Sequence, residues 1–234
     1  MKGYGQFCPV AKAAELFCEK WTPLILRDLA IGATRFSELQ RGVPLMSPTL
    51  LSRRLKQLEA EGVVERKPSG NARSSTYHLT PAGREFIPVI EALGVWGQRW
   101  SRRELAENEI DLGLLLWALE RSVDAGGLGP GRTVVRLEFT DQPARKRHWW
   151  FVNDEGRVEL CLKDPGFDTD LYLACSLADM IYLMRGDLTL AHALSCDRLE
   201  VHGEASKRRA LKSWLNLSPL ASVKSQRGAM LAAQ

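Results

Sequence analysis

Ser47–Gly62, SPTLLSRRLKQLEAEG, decides the reading of this chain. Ser47 suits an N-cap, and Pro48 suits the first helical position, where no backbone donor is needed. Gly62 stands where helices commonly end. Leu51, Leu55 and Leu58 recur at helical spacing as one apolar stripe. At about 100° per residue, Thr49, Ser52, Arg53 and Lys56 project from the opposite side. That face is polar and basic and carries no acid in its first two turns. A helix divided in this way can seat its leucines in a core and lay its other face on DNA. The alternative is an ordinary solvated surface helix.

The flanking residues favour DNA. Upstream, Pro9–Phe17 and Thr22–Ile31 read as helices, the second with Thr22 as N-cap and Pro23 at its first position. Phe36–Arg41 reads as a third short helix, and 42–46 as the loop that delivers the chain to Ser47. Two short helices at a sharp angle, the second amphipathic and basic, fit a helix-turn-helix. Downstream, Val63–Lys67 and Ser75–Leu79 read as strands around the turn cluster 68–74. A hairpin directly behind a recognition helix is a wing, and this one carries Arg66, Lys67, Asn71, Arg73, Ser74 and Ser75. The expected DNA-contacting set is therefore Ser47, Thr49, Ser52, Arg53 and Lys56 on the helix, Arg35 ahead of it, and those six wing residues.

Thr80-Pro81 repeats the cap signature. A helix from Pro81 toward Leu105 is expected to carry Phe86, Ile90, Leu93, Trp96 and Trp100 on one stripe, with a bend at Pro88. The stripe lies outside the winged unit and needs a partner. A second subunit is the expectation, with packing on the chain's own domains as the alternative.

Charge follows the same division. Residues 1–108 hold 16 Lys/Arg against 11 Asp/Glu, a surplus of five, so with +4 overall the remaining residues carry −1. At 234 residues and 45% hydrophobic, the chain can bury a real core and suits one large or two modest domains. Its longest apolar run, near Leu112–Leu119, is too short to span a bilayer. Cys8, Cys18, Cys161, Cys175 and Cys196 form no CxxC and no zinc spacing. With no secretory signal, they point to a reducing, cytoplasmic setting. The histidines His78, His148, His192 and His202 are scattered, and no nucleophile–base set or phosphate loop stands out. Neither a metal, a cofactor nor an enzymatic activity is expected.

Past Asn108 the pattern changes. Asp111–Val123 reads as an apolar helix, and Thr133–Phe139, His148–Val152, Arg157–Leu162 and Leu171–Cys175 as strands. A Ser176-capped helix through Met184, a helix over Leu188–Leu194, a strand at Leu199–His202 and a helix over Ala205–Leu215 complete an α+β domain.

Two resemblances follow from these residues. Cys8-Pro9, Lys20-Trp21 with Leu24-Ile25-Leu26, Arg35-Phe36 with Glu38-Leu39, and Ser47 with Leu50-Leu51 and Arg54-Leu55 form the first part of one pattern. Gly62-Val63-Val64 with Arg66, and Tyr77 with Leu79-Thr80 and Gly83, complete it. Together they resemble the HxlR family of winged-helix transcription regulators. That likeness implies homodimers on double-stranded operator DNA, and in some relatives oxidant sensing through a Cys in the position of Cys8. A thiol near a helix start can be activated; it can equally be structural. The chain departs from the family at Cys18-Glu19-Lys20-Trp21, where Gly-Gly-Lys-Trp is usual, and in its wing. The back half, especially Leu171 through Gly203, resembles the sterol carrier protein 2-like fold, which implies an apolar ligand cavity. Trp149, Phe151, Tyr172, Met180, Tyr182, Met184 and Trp214 are the expected lining; plain core packing is the alternative.

The expected layout is α+β. A winged helix-turn-helix domain with a dimerisation helix covers residues 1–108, a sterol carrier protein 2-like domain covers 109–220, and a flexible tail covers 221–234. The expected function is a DNA-binding regulator controlled by an apolar small-molecule effector. The rival is a lipid- or acyl-binding carrier whose winged module contacts protein.

Overall fold

Leu51, Leu55 and Leu58 are fully buried, and the elements around them form the pocket that receives them. The computed structural model describes residues 3–68, 75–101 and 103–226. Its chain divides into two compact units, Met1–Gly94 and Val95–Gln234. The division falls ahead of the 108/109 boundary expected from sequence.

The first unit runs α1 (Pro9–Phe17), α2 (Thr22–Ala30), α3 (Phe36–Gly42), α4 (Pro48–Ala60), β1 (Val64–Pro68), β2 (Ser75–Leu79) and α5 (Pro81–Glu85). Ser47 caps α4 as expected, its Oγ accepting from the Leu50 N–H at 3.3 Å. Ile25, Leu26 and Leu29 of α2, Leu39 of α3 and Met46 of the connecting loop are buried with the α4 leucines. Thr22 does not cap α2. Trp21 takes the cap position in the left-handed region at φ 80°, and Thr22 sits buried inside the helix.

β1 and β2 pair antiparallel from Val64↔Leu79 to Pro68↔Ser75. Arg35 bridges Thr76, and the Tyr77 N–H donates to Thr34 O at 2.7 Å, so a short third strand ties the hairpin to the helices. This is a winged helix-turn-helix. Gly83 lets α5 close on it, since a Cβ there would lie 2.2 Å from Val63 O.

The single long helix expected from Pro81 to Leu105 is three pieces. α5 stops at Glu85, α6 runs Ile87–Trp96, and a π-helical turn follows over Gly97–Ser101. Pro88 is the cause. It lacks an N–H and so occupies the first turn of a new helix, where none is needed, rather than a bend inside an old one.

The second unit holds α7 (Leu112–Ser122), β3 (Thr133–Phe139), α8 (Ala144–Arg147), β4 (His148–Asp154), β5 (Arg157–Cys161) and β6 (Leu171–Cys175). α9 (Leu177–Arg185), α10 (Leu190–Ser195), β7 (Leu199–Gly203) and α11 (Ala205–Leu215) follow. Five strands lie in the order β5-β4-β3-β6-β7, with β3 and β6 parallel and the other neighbours antiparallel. The β4–β5 turn is made by Glu155 and Gly156, both at positive φ, as the right-handed strand twist prefers in a two-residue hairpin.

One face of the sheet carries Val135, Leu137, Phe139, Trp149, Phe151, Leu171, Leu173 and Leu199. These are buried in one cluster with residues of α7, α9, α10 and α11. Two polar side chains inside are paired: Trp214 Nε1 donates to Asn153 Oδ1 at 2.8 Å, and Asn153 Nδ2 to Thr133 O at 3.0 Å. Gly186, at φ +75°, ends α9 where a Cβ would meet Ala221 O at 2.0 Å. Residues at the start of the expected tail, 221–234, make hydrogen bonds of their own. Pro219–Ser222 forms a 3-10 turn, and the Gln226 N–H donates to Arg99 O at 2.8 Å. Residues 227–234 lie outside the described residues.

Candidate nucleic-acid interface

α4 presents the face anticipated from its spacing. Ser47, Thr49, Arg53 and Lys56 are exposed and Ser52 half-buried, opposite the buried leucines. Ser47 also spends its oxygen on the cap, which leaves its O–H as the group free to donate outward.

Arg54, one residue beyond Arg53, has the opposite fate. It is 6% exposed. Its Nη2 donates to Glu19 Oε2 at 2.6 Å and its Nη1 to Gln57 Oε1 at 2.8 Å. Glu19 lies in the segment where the chain departs from Gly-Gly-Lys-Trp. The departure thus supplies the acid that ties the α1–α2 turn to α4. The leucine stripe does not disclose this pair, because an arginine beside Arg53 reads as surface. The signal available was position: Arg54 follows Leu51 by three residues and precedes Leu58 by four, on the buried side. Gln40 Nε2 holds the loop before α4 in turn, donating to Met46 O at 2.6 Å. The aim of Arg53 and Lys56 is thus set by buried groups beneath them.

On the wing, Arg66 and Lys67 are exposed and Ser75 is half-buried. Asn71, Arg73 and Ser74 fall outside the described residues. Lys67 is not a free cation: its Nζ lies 2.7 Å from Glu65 Oε1, and this hydrogen bond holds the Glu65 carboxyl below its usual range. Arg35 is exposed beside β2, and the backbone N–H groups of Thr34 and Arg35 both donate to Glu38 Oε2.

The expected dimerisation stripe divides. Phe86 stacks on Phe17 of its own chain, with ring centroids 3.6 Å apart. Ile90 and Trp100 are half-buried, while Leu93 and Trp96 are 52% and 59% exposed. No residue of α6 is buried.

Cys8 is a free, half-buried thiol at the start of α1, directly before Pro9. In the second unit Trp149, Phe151, Met180 and Trp214 lie in the packed core, with Tyr182 and Met184 half-buried against it. Tyr172 is not with them. It pairs with Arg136 and His202 and faces away from the helices, because alternate residues of a strand point to opposite sides. Burial pushes the Cys175 thiol up to about 12, with Asp179 and Asp141 adding to the effect. Among the described residues no cluster of His, Cys, Asp and Glu could hold a metal ion, and no helix is long and apolar enough to cross a membrane.

Comparison with known proteins points the same way as the geometry. Residues 16–105 match the HxlR-like helix-turn-helix family. The HTH-type transcriptional regulator YvaP of Bacillus subtilis is 37% identical over 98 residues, which make up 41% of this chain and 90% of YvaP. An HTH-type transcriptional regulator of Synechocystis sp. is 36% identical over 105 residues, 44% of this chain and 77% of that protein. Among solved structures, the redox regulator HypR in its oxidized form is 29% identical and covers 42% of this chain and 100% of its own, with a TM-score of 0.39.

Proposed function

Because the chain belongs to the HxlR-like helix-turn-helix family, we propose that it is a homodimeric transcription regulator whose two copies of α4 enter successive major grooves of operator DNA. Groove centres on one face of the duplex repeat at roughly 34 Å, which sets the half-site spacing. Thr49, Ser52, Arg53 and Lys56 read or grip DNA from α4, with Arg53 the principal base contact. Arg35, Arg66 and Ser75, together with Asn71, Arg73 and Ser74 from the sequence between the two strands, grip phosphate. The observation that carries this reading is the division of α4: an exposed cationic face on a helix whose other face is wholly buried. The apolar, unburied surface of α6, with Leu93 and Trp96 most exposed, supports a second copy as its cover.

The second unit serves as the effector-binding part of the regulator. In support, β6, the Ser176-capped α9, Gly186, α10 and a β7 ending at Gly203 follow the element order of the sterol carrier protein 2-like fold. A small molecule bound there changes DNA affinity by biasing the dimer through the Trp96–Trp100 region.

The test is titration of the full chain onto the DNA upstream of its own gene, at salt concentrations from about 50 to 200 mM. Affinity is expected to fall steeply with salt and to drop in Arg53→Ala and Arg73→Ala. Salt-insensitive binding, or undiminished binding by both variants, would reject the assignment and favour a carrier with a protein-binding module.

A further inference from the structure

The side of the five-stranded sheet away from the helices is not a plain solvated surface. Strand register builds a row of side chains across it, Cys161–Trp150–Arg136–Tyr172–His202. A second row holds His148–Glu138–Ala174–Glu200. At the centre the Arg136 guanidinium lies 5.8 Å from the ring centroid of Trp150 on one side and 5.8 Å from that of Tyr172 on the other. The two rings flank the guanidinium and attract its charge without using its N–H groups.

Those N–H groups are unclaimed. Among the described residues no oxygen accepts from Arg136, and its Nε is shut off from solvent as well. The outer N–H groups are not among the buried ones, so they stay open to an acceptor brought from outside. Its natural partners are near, but neither accepts from it. Glu138, two residues along the same strand, has His148 Nε2 at 3.4 Å from its Oε2, and Glu200 has His202 Nε2 at 3.6 Å. Beside the row lies a cleft of about 250 Å³ lined by Arg136, Glu138, Tyr172, Ala174, Glu200 and His202.

We propose that this open sheet face binds a small aromatic monocarboxylate, its carboxylate on the Arg136 guanidinium and its ring on the exposed face of Tyr172. The planar fork of arginine matches a carboxylate in two parallel hydrogen bonds. One negative charge suits the site better than two, because Glu138 and Glu200 line the same cleft and repel a dianion such as phosphate. Tyr172, 42% exposed, offers the apolar face for a ring. The cleft is smaller than the usual drug-sized pocket of about 300–1,000 Å³, which selects a compact acid. The inference gives a chemical class to the effector proposed above and rests on that reading only for its regulatory consequence. The binding itself is measured without DNA, so failure of the DNA reading leaves it standing.

Isothermal titration of the full chain with 1-naphthoate, benzoate, 1-naphthamide and inorganic phosphate tests it. Saturable binding of 1-naphthoate, weaker binding of benzoate and none of the amide or phosphate are expected. Arg136→Gln should weaken 1-naphthoate by at least about tenfold with an unchanged circular dichroism spectrum. Glu138→Gln should hold or improve the affinity, since it removes a repelling charge. If Arg136→Gln does not fold, Tyr172→Ala serves instead, with a loss of about threefold expected from one ring contact. Absence of heat with the wild-type chain, equal affinity in the variant that folds, or equal binding of the amide or phosphate would overturn the proposal.

Discussion

The exposed face of α4 and the open face of the second unit's sheet both present arginine, and they present it in contrary ways. On α4, Arg53 and Lys56 extend from a helix and, among the described residues, no aromatic ring holds them; beneath them lie buried leucines and the Arg54–Glu19 pair. On the sheet, Arg136 is itself flanked by two rings, with the nearby carboxylates lying beside histidines. Long mobile cations suit a polyanion whose phosphates repeat and whose affinity comes from many contacts. A single immobilised guanidinium suits one small anion in one orientation. On the two readings proposed above, the same residue type serves two kinds of recognition, and what separates them is how much of the side chain's freedom the fold has already removed.

The comparison can be broken most directly at α4. Arg53→Ala with Lys56→Ala should weaken operator binding by about a hundredfold, at roughly 1–3 kcal/mol per base-reading contact, measured by fluorescence anisotropy at fixed salt. An unchanged affinity would place the recognition face elsewhere. Arg54→Ala tests the support rather than the surface. Breaking a fully buried pair costs about 3–5 kcal/mol; with Glu19 still partly solvated, a loss of about 2 kcal/mol is expected, seen as an earlier urea transition of the first unit. Arg53→Ala should move that transition by no more than about 0.5 kcal/mol. If the two adjacent variants behave alike, the division between reading face and anchor is wrong.

A smaller effect separates the units by pH. The Cys175 thiol is raised to about 12 in the folded chain, while an unfolded thiol ionises near about 8.5. Between those values the folded state keeps a proton that the unfolded state has lost. Stability is therefore intact below about pH 8.5 and falls above it by about 1.4 kcal/mol per pH unit. Cys175→Ala should remove that slope from the second unit's unfolding curve. The smallest change is expected at Lys67. Already engaged by Glu65, it should alter the salt slope of DNA binding by less than about one on Lys67→Ala. As pH falls through the lowered Glu65 value, the pair is lost and Lys67 is released, so acid should enlarge that small effect. A larger contribution at neutral pH would show that Lys67 leaves Glu65 when DNA arrives.

Much of this was legible residue by residue. The bounds of α1, β2, β3, β6 and α11 fall where apolar spacing and turn residues place them, and the Ser47, Thr80 and Ser176 caps all accept the expected backbone hydrogen bond. These features depend on neighbours within a few positions, which a linear reading can see. Thr22 misled because a threonine before proline looks like a cap, while burial and the left-handed Trp21 decided otherwise. Pro88 misled in the other direction, since a proline two residues into a helix and one in its middle look alike until the hydrogen bonds are traced. In the sheet, HWWFV says that Trp149 and Trp150 face opposite ways and not which of them meets the helices.

Local order, then, was written in the chain itself: the capped recognition helix, its polar and apolar sides, the wing behind it and the strand-and-helix succession beyond. Partners distant along the chain were settled only in three dimensions. Arg54 met Glu19 35 residues away, Trp214 met Asn153 61 residues away, and Trp150, Arg136 and Tyr172 came into one row. The reason is physical. Periodicity fixes the direction in which a side chain leaves its own element, whereas its partner depends on which element packs opposite and in what register, and burial of the whole core decides that.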